Sequence, residues 1–240
     1  MSTVYYFAYF DPTTTLVTAV TLAGTTLTGN VISLTQAQYD SIQQNPQGWW
    51  VSSGVLQNPT TATTLLWYQK QQIQALENSY SGAISQGLAT TINGSSYTIL
   101  LTNRGTSRDG IQELSAAIVS QRAIDKATQW VSGQVVAANS FVTDGASNYF
   151  ITFTGGTTGT TIPTWPTAFS TPVTDNTVTW YKMGFRVSTT SGLVLTDPTS
   201  IVSLFAQSVN YINNLQYNLE SLSNQVMAAT TPAAVQAIVW

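Results

Sequence analysis

Two long segments with helical hydrophobic spacing constrain the fold of this chain most strongly. Residues 61–87 and 200–227 carry apolar side chains at steps of three, four and seven residues. Asp197 and Pro198 precede the second segment as an N-cap and a first-turn proline. The spacing therefore predicts two amphipathic helices, each of which needs a partner for one apolar face.

The apolar face of the second helix is a candidate seam. Its members are Phe205, Ile212, Leu215, Leu219, Leu222 and Val226. On the first helix, Gln69 is the one polar interruption of the corresponding face. The pattern is compatible with an antiparallel pair within one chain or with a coiled coil between copies. Weak heptads and few charged flanking residues argue against a long coiled coil.

The first 58 residues are predicted to form a small ββαβ-type module. Residues 3–10 are aromatic and β-branched, Asp11 and Pro12 break this run, and residues 16–22 alternate apolar and polar side chains. This pattern predicts a β-hairpin.

A capping-box pattern marks a short helix in the same module. Thr35 is followed three residues later by Gln38, and the helix is expected to end near Asn45. A strand pair around Ser53 and Gly54 completes the module.

The region between the long helices changes character along its length. Residues 91–101 predict a strand-turn-strand with Asn93 and Gly94 at the turn, and residues 185–195 predict another hairpin. A third helix has an expected buried side comprising Ile111, Leu114, Ala117, Ile118 and Ile124.

Residues 130–184 lack helical periodicity and are dense in Thr, Gly and aromatic residues, which predicts an inserted all-β, sandwich-like module. We therefore predict an α+β fold with long helices and short hairpins. Its three parts are residues 1–58, residues 59–129 together with 185–240, and the inserted residues 130–184.

Charged residues are scarce, and this limits the classes of partner. They make up 7% of the chain, against roughly 25% in an ordinary domain. With 7 Lys and Arg against 10 Asp and Glu, the net charge is −3, which is unfavourable for nucleic acid. No apolar run approaches the ~18 residues of a membrane span, so we expect no membrane insertion. Because little charge opposes contact between copies, we expect a homo-oligomer or a subunit of a larger assembly.

The chain contains no Cys and no His, so thiol nucleophiles, imidazole bases and most transition-metal sites are excluded. The carboxylates are scattered singly in turn-like contexts, and residues 155–159 lack the lysine of a phosphate loop. We predict no catalytic residue, no metal site and no cofactor. A polysaccharide-degrading enzyme remains an alternative, and it would need carboxylates such as Asp144 and Asp175 to converge within roughly 5–9.5 Å.

The inserted segment carries an ordered series of motifs. They are Gly-Gln-Val-Val at 133–136, Tyr-Phe-Ile-Thr-Phe-Thr-Gly-Gly-Thr-Thr-Gly at 149–159, Pro-Thr-Trp-Pro at 163–166 and Asp-Asn-Thr-Val-Thr-Trp at 175–180. The series resembles the carbohydrate-binding-like β modules that recur in bacteriophage tail proteins. This resemblance implies a module on a phage appendage that contacts glycan or a neighbouring protein.

Sugar binding needs an aromatic face for the apolar side of a pyranose and polar groups for its hydroxyls. The candidate carbohydrate-binding residues are Trp165, Tyr181, Asn148, Asp144 and Asp175. Trp180 alternates with Val178 in a predicted strand and is assigned to the core. Trp165, which lies between two prolines, is compatible with either the core or the binding surface.

The flanking sequence extends the resemblance to phage proteins. Tyr-Tyr-Phe-Ala-Tyr-Phe-Asp at 5–11, Ser-Leu-Thr-Gln-Ala-Gln-Tyr at 33–39 and Trp-Trp-Val-Ser-Ser-Gly-Val-Leu at 49–56 are similar to tail-fibre and tail-fibre-assembly proteins. Residues 74–120 and 185–240 resemble a phage domain of unknown function.

The resemblance implies a virion structural protein that is assembled in the host cytoplasm and oligomerises, commonly as a trimer in fibres. Its expected partners are further copies of itself, other tail or capsid proteins and host surface glycan. A head fibre or capsid decoration protein and a tail-fibre assembly chaperone are the alternatives. Related chaperones are richer in charge, which favours a permanent virion component.

Overall fold

The computed structural model of the chain describes residues 5–25, 27–101 and 108–240. Its helices are α1 (Gln36–Gln44), α2 (Thr61–Gln86), α3 (Arg108–Lys126), α4 (Pro198–Ala228) and α5 (Pro232–Gln236). Its strands are β1 (Tyr5–Phe10), β2 (Val17–Ala23), β3 (Val31–Leu34), β4 (Trp50–Ser52), β5 (Val55–Gln57), β6 (Leu88–Ile92), β7 (Ser95–Ile99), β8 (Thr128–Gln129), β9 (Val135–Val136), β10 (Phe141–Thr143), β11 (Tyr149–Ile151), β12 (Gly156–Thr157), β13 (Pro172–Asp175), β14 (Val178–Lys182), β15 (Phe185–Thr189) and β16 (Gly192–Thr196). The predicted α+β class is confirmed.

The chain divides into two compact units. The first unit comprises residues 1–80 and 216–240, and the second comprises residues 81–215. The predicted 1–58 module lies within the first unit and the predicted 130–184 insertion lies within the second. The predicted part made of residues 59–129 and 185–240 is divided between the two units, and the three-part division stays a prediction.

The first unit contains a three-stranded antiparallel sheet in the order β2-β1-β3. The predicted β1–β2 hairpin is confirmed, and β3 adds an unpredicted strand on the other edge of β1. Helix α1 begins with the predicted capping box, in which the Gln38 amide donates to Thr35 Oγ1 at 3.2 Å and Gln38 Oε1 accepts from the Thr35 amide at 2.8 Å. The core beneath the sheet comprises Ala8, Val17, Leu34, Ile42 and Val51.

Residues of α2 and α4 pack together in the first unit. The core there consists of Leu76, Val226 and Val235, the last from the unpredicted helix α5. Leu65 and Ile73 of α2 and Leu219 and Leu222 of α4 pack against this core. The apolar faces are therefore paired within one chain, which is the first of the two predicted arrangements.

Burial along the candidate seam of α4 is graded. Val226 is fully buried, whereas five members are only half-buried: Phe205, Ile212, Leu215, Leu219 and Leu222. At the start of the helix, the most buried apolar residues are Ile201 and Leu204, which the seam prediction left out.

The second unit contains a four-stranded sheet in the order β16-β15-β7-β6. Both predicted hairpins are confirmed, and they join where Thr189 pairs with Ile99. Asn93 and Gly94 both have positive φ, as a two-residue hairpin turn requires. The core of this region comprises Ile92, Ile99, Leu101, Val187, Ile201 and Leu204.

Residues 128–182 of the second unit form a β-rich region, which confirms the predicted strand character of the insertion. Its five strands have the order β13-β14-β11-β10-β8, and β9 and β12 form a separate pair. The β8–β10 pair is parallel, and the other pairs are antiparallel. The core comprises Val142, Phe150, Val178 and Trp180, so the assignment of Trp180 to the core is confirmed.

The predicted buried side of α3 is wrong at two positions. Leu114 and Ile118 are 42% and 62% exposed, and the side chain of Ile111 lies outside the described part of the chain. Ala117 is buried as predicted and Ile124 is half-buried, and the other buried residues in the described part of the helix are Glu113, Ser120 and Ala123. Short side chains let a helix lie close to neighbouring strands. The buried side of this helix therefore carries mainly small residues, and the large residues Leu114 and Ile118 stay exposed.

Candidate functional site

Asp175 is a structural residue. It is 4% exposed, and its carboxylate accepts hydrogen bonds from Trp130 Nε1 at 2.7 Å, Trp180 Nε1 at 3.1 Å and the Gly159 amide at 2.7 Å. A buried carboxylate is stable when donors surround it in this way. The prediction that Asp175 contacts sugar is therefore corrected, because its oxygens face the core.

Asp144 and Asn148 hold a turn between β10 and β11. Asp144 accepts hydrogen bonds from the Ala146 amide at 2.8 Å, the Asn148 amide at 3.2 Å and Asn148 Nδ2 at 2.7 Å. Partial burial by itself would raise the pKa of Asp144, but these hydrogen bonds and the positive charge of Lys182 lower it below its usual value. The two side chains bind each other, and their sugar-binding role stays a prediction.

Trp165 belongs with the core. Its ring stacks on Phe150 with centroids 4.2 Å apart and an interplanar angle of 27°. The residue is half-buried, and its indole Nε1 is buried without a hydrogen-bond partner among the described residues. Phe150 covers one face of the indole, so Trp165 packs against the core through that face. Its sugar-binding role stays a prediction.

Tyr181 lies in an apolar groove of about 250 Å³. Strand pairing sets Tyr181 directly opposite Ile151 of β11. The ring of Phe153 approaches to a centroid distance of 5.4 Å at an interplanar angle of 48°. Phe153 is 58% exposed, so the two rings form an aromatic surface that a ligand can reach. We call this feature the aromatic groove.

Strand alternation explains why these rings lie on the side of the sheet opposite Phe150 and Trp180. Phe150 and Thr152 are fully buried, so Ile151 and Phe153 project from the opposite side of the chain. In the same way, buried Trp180 places its neighbour Tyr181 on the opposite face, where Ile151 packs against the core cluster that includes Ala123 of α3 and Met183. Phe153 was not among the predicted site residues, although its alternation with Phe150 carries the necessary signal.

The remaining lining of the aromatic groove is mixed. Val119 of α3 contributes from the helix side, and Met183 and Phe185 follow β14 along the chain. Lys182 also lines the groove, and its ammonium donates to the Thr167 carbonyl at 2.9 Å. The groove therefore combines aromatic and aliphatic contact surface with a cationic edge, a composition suited to an amphipathic ligand such as a sugar.

A larger groove of about 450 Å³ opens on the β6–β7 hairpin of the second unit. Its lining is mostly Thr and Ser, and its one aromatic residue, Tyr97, packs against the hydrophobic core. This groove has hydroxyl groups but no ring free for stacking, so it is a weaker candidate for a sugar.

Metal binding and membrane crossing are two further properties that the described residues can be tested for. Within the described ranges, no group of three acidic side chains could hold a metal ion. No helix in that part of the chain has both the length and the apolar character that crossing a bilayer requires.

Comparison of the chain with protein-family models, with curated proteins and with solved structures finds no match. Functional inference therefore depends on the aromatic groove and on the sequence motifs of the region that carries it.

Proposed function

We propose that the chain is a non-enzymatic structural protein of a tailed-bacteriophage virion. It acts as a tail-fibre or tail-fibre-associated subunit that oligomerises on the particle and displays a β module to host surface glycan. The observation that carries this proposal is the pair of exposed Phe153 and half-buried Tyr181 in the aromatic groove. It lies in the segment whose motifs resemble phage carbohydrate-binding-like modules.

The surface composition supports binding as the function. Charged residues make up 7% of the chain, and a surface of hydroxyls and amides recognises neutral polar ligands by hydrogen bonding. The Tyr181 hydroxyl makes no hydrogen bond with another described residue, so it is available to a sugar hydroxyl.

Three competing functions differ in where the protein resides and what it does. A head fibre or capsid decoration protein would share this composition with another docking partner, and a chaperone would be absent from the finished particle. A polysaccharide-degrading enzyme is disfavoured because Asp175, one of its candidate acids, is buried against two indoles. Mass spectrometry of purified virions tests the chaperone alternative. A structural component would be detected in the finished particle, whereas a chaperone would be absent from it.

Substitution in the aromatic groove tests the proposal directly. Tyr181→Ala and Phe153→Ala are expected to weaken binding to host cells and to extracted surface glycan by about tenfold, since each removes one stacking face. Tyr217→Ala is the matched control, because Tyr217 is 75% exposed on α4 in the first unit.

Circular dichroism must show that each variant remains folded. Binding by the two groove variants at the level of the unchanged protein would overturn the glycan-binding role. Loss of binding in the Tyr217 variant as well would show that the effect is not specific to the groove.

A further inference from the structure

A second groove in the second unit contains two cationic side chains. It has a volume of about 360 Å³ and includes Arg122 and Lys126, one turn apart near the carboxyl end of α3. Neither side chain forms a hydrogen bond or ion pair with another described residue. The chain has only 7 Lys and Arg, so two unpaired cations in one concavity are a concentrated positive charge. We call this feature the cationic groove.

The two cations repel each other weakly, because both side chains are exposed to solvent. Like charges four residues apart on a helix repel each other. The helix dipole favours a cation in the last turn, which accounts for Lys126 but gives no reason for the second cation beside it. The neighbouring acid, Asp125, accepts a hydrogen bond from Gln121 at 2.9 Å and pairs with neither cation.

The rest of the lining mixes neutral polar residues with apolar ones, among them Val135, Val136 and Phe141. The side chains of Gln134, Asn139 and Ser140 line the cationic groove, and none of them bonds to another described side chain or backbone group. Amide and hydroxyl groups beside two cations form a site for a carboxylate that is attached to a hydroxyl-rich molecule.

The cationic groove and the aromatic groove are adjacent. Val119, which lines the aromatic groove, precedes Arg122 by three residues and Lys126 by seven, a spacing that places all three on one flank of α3. On the sheet, Phe141 of the cationic groove pairs directly with Ile151 of the aromatic groove. One extended ligand can therefore occupy both grooves.

We propose that this surface binds an acidic oligosaccharide. One sugar ring stacks on Phe153 and Tyr181, while the carboxylate of a neighbouring sugar lies between Arg122 and Lys126. This inference rests on the proposed function and adds the ligand class, which is a glycan that contains uronic acid. A nucleic-acid backbone is a poorer fit, because two cations neutralise few phosphates and the chain has a net charge of −3.

A matched pair of probes tests the carboxylate. The first is a tetrasaccharide of galacturonic acid, and the second is the same tetrasaccharide after its carboxyl groups have been reduced to alcohols. Titration calorimetry of the full chain is expected to show at least about tenfold tighter binding of the acidic probe. Added NaCl should weaken binding of the acidic probe and leave that of the reduced probe unchanged.

Variants locate the effect. Arg122→Gln combined with Lys126→Gln should bring the affinity for the acidic probe down to that for the reduced probe. The control is Arg186→Gln, because Arg186 is an exposed cation of the same unit that lines neither groove. Tyr181→Ala should weaken binding of both probes.

The outcomes separate this inference from the proposed function. Equal binding of the two probes that Tyr181→Ala abolishes would overturn the acidic-ligand inference and leave glycan binding standing. A preference for the acidic probe that survives the double substitution would also overturn it. If neither probe binds, the inference fails, and the assay with host cells decides the proposed function independently.

Discussion

At the scale of single residues, Asp175 connects donors that lie far apart in the sequence. Its Oδ2 accepts from the indoles of Trp130 and Trp180, and its Oδ1 accepts from the Gly159 amide. In Asp175→Asn, an NH₂ group replaces one of the two carboxylate oxygens. This group cannot accept a hydrogen bond, so at least one of the donors is left without an acceptor. We expect the free energy of unfolding to fall by roughly 1–3 kcal/mol, measured by urea denaturation.

Asp144→Asn is the control for this substitution. Asp144 holds an exposed turn, in which asparagine is also a favourable residue. Its loss of stability should therefore be smaller. Equal losses for the two variants would contradict the assignment of Asp175 as the central acceptor of the β-rich region.

Gly155 shows a different residue-scale constraint. Its φ is +70°, and a Cβ built there would lie 2.8 Å from Ala138 N and from Val136 O. Gly133 has nearly the same φ, +66°, but open space around its Cβ position. Gly155→Ala should therefore destabilise the chain by roughly 1–3 kcal/mol more than Gly133→Ala, the excess being the cost of overpacking. Thermal or urea unfolding of both variants measures the difference in stability. Equal losses of stability would show that backbone strain alone, without overpacking, destabilises the Gly155 variant.

At the scale of elements, Gln69 links α2 to the end of α4 within the first unit. Its Nε2 donates to the carbonyls of Val226, Met227 and Ala229 at 3.2, 3.3 and 3.2 Å. The last carbonyls of a helix have no intrahelical partners, so this buried amide caps α4. Gln69→Leu keeps the approximate size of the side chain and removes the donor.

We expect this variant to lower the free energy of unfolding by roughly 1–3 kcal/mol, because the part-buried Met227 and Ala229 carbonyls lose this donor, while the Val226 carbonyl keeps only the Ala229 amide. Gln74→Leu is the matched control on the same helix, since Gln74 is exposed and bonds only to Asn78 at 3.3 Å. It should change the stability by less than about 0.5 kcal/mol. If both variants unfold at the same urea concentration, the cap has no energetic role.

Elements specified by neighbouring residues could be predicted from the sequence. The capping box at Thr35 and the turn at Asn93 depend on side chains within a few positions of each other, and both are present. The pairing of Thr189 with Ile99 joins hairpins 90 residues apart and has no local signal. The same limit applies to the candidate site, where alternation could locate Tyr181 and Phe153 but not the burial of Asp175.

Helix α3 shows how tertiary packing overrides periodicity. Its large apolar residues suggested one buried face, whereas the sheet selects the face that contains Ala117 and Ala123. Leu114 and Ile118 remain exposed as a consequence. Hydrophobic periodicity identifies a helix reliably, but the size of the space beside it decides which face is buried.

At the scale of the whole molecule, the scarcity of charge limits how copies can associate. Among the described residues, Lys70 and Asp11 form the one ion pair. Its hydrogen bond, together with bonds from the Thr14 and Thr13 amides, holds the pKa of Asp11 well below its usual range. With 17 charged residues in all, counted as 7 basic and 10 acidic, contacts between copies must depend mainly on apolar and hydrogen-bonding groups.

This scarcity of charge predicts how the proposed homo-oligomer responds to solvent. Light scattering should give a mass that is a whole multiple of 25.8 kDa and that does not fall when NaCl is raised to about 1 M. Urea below the unfolding transition should dissociate the oligomer instead, because it weakens the burial of apolar and peptide groups. Far-ultraviolet circular dichroism in the same solutions shows whether the chain is still folded. Dissociation in NaCl would mean that ion pairs hold the copies together, and a mass of 25.8 kDa under all conditions would show that the isolated chain is a monomer.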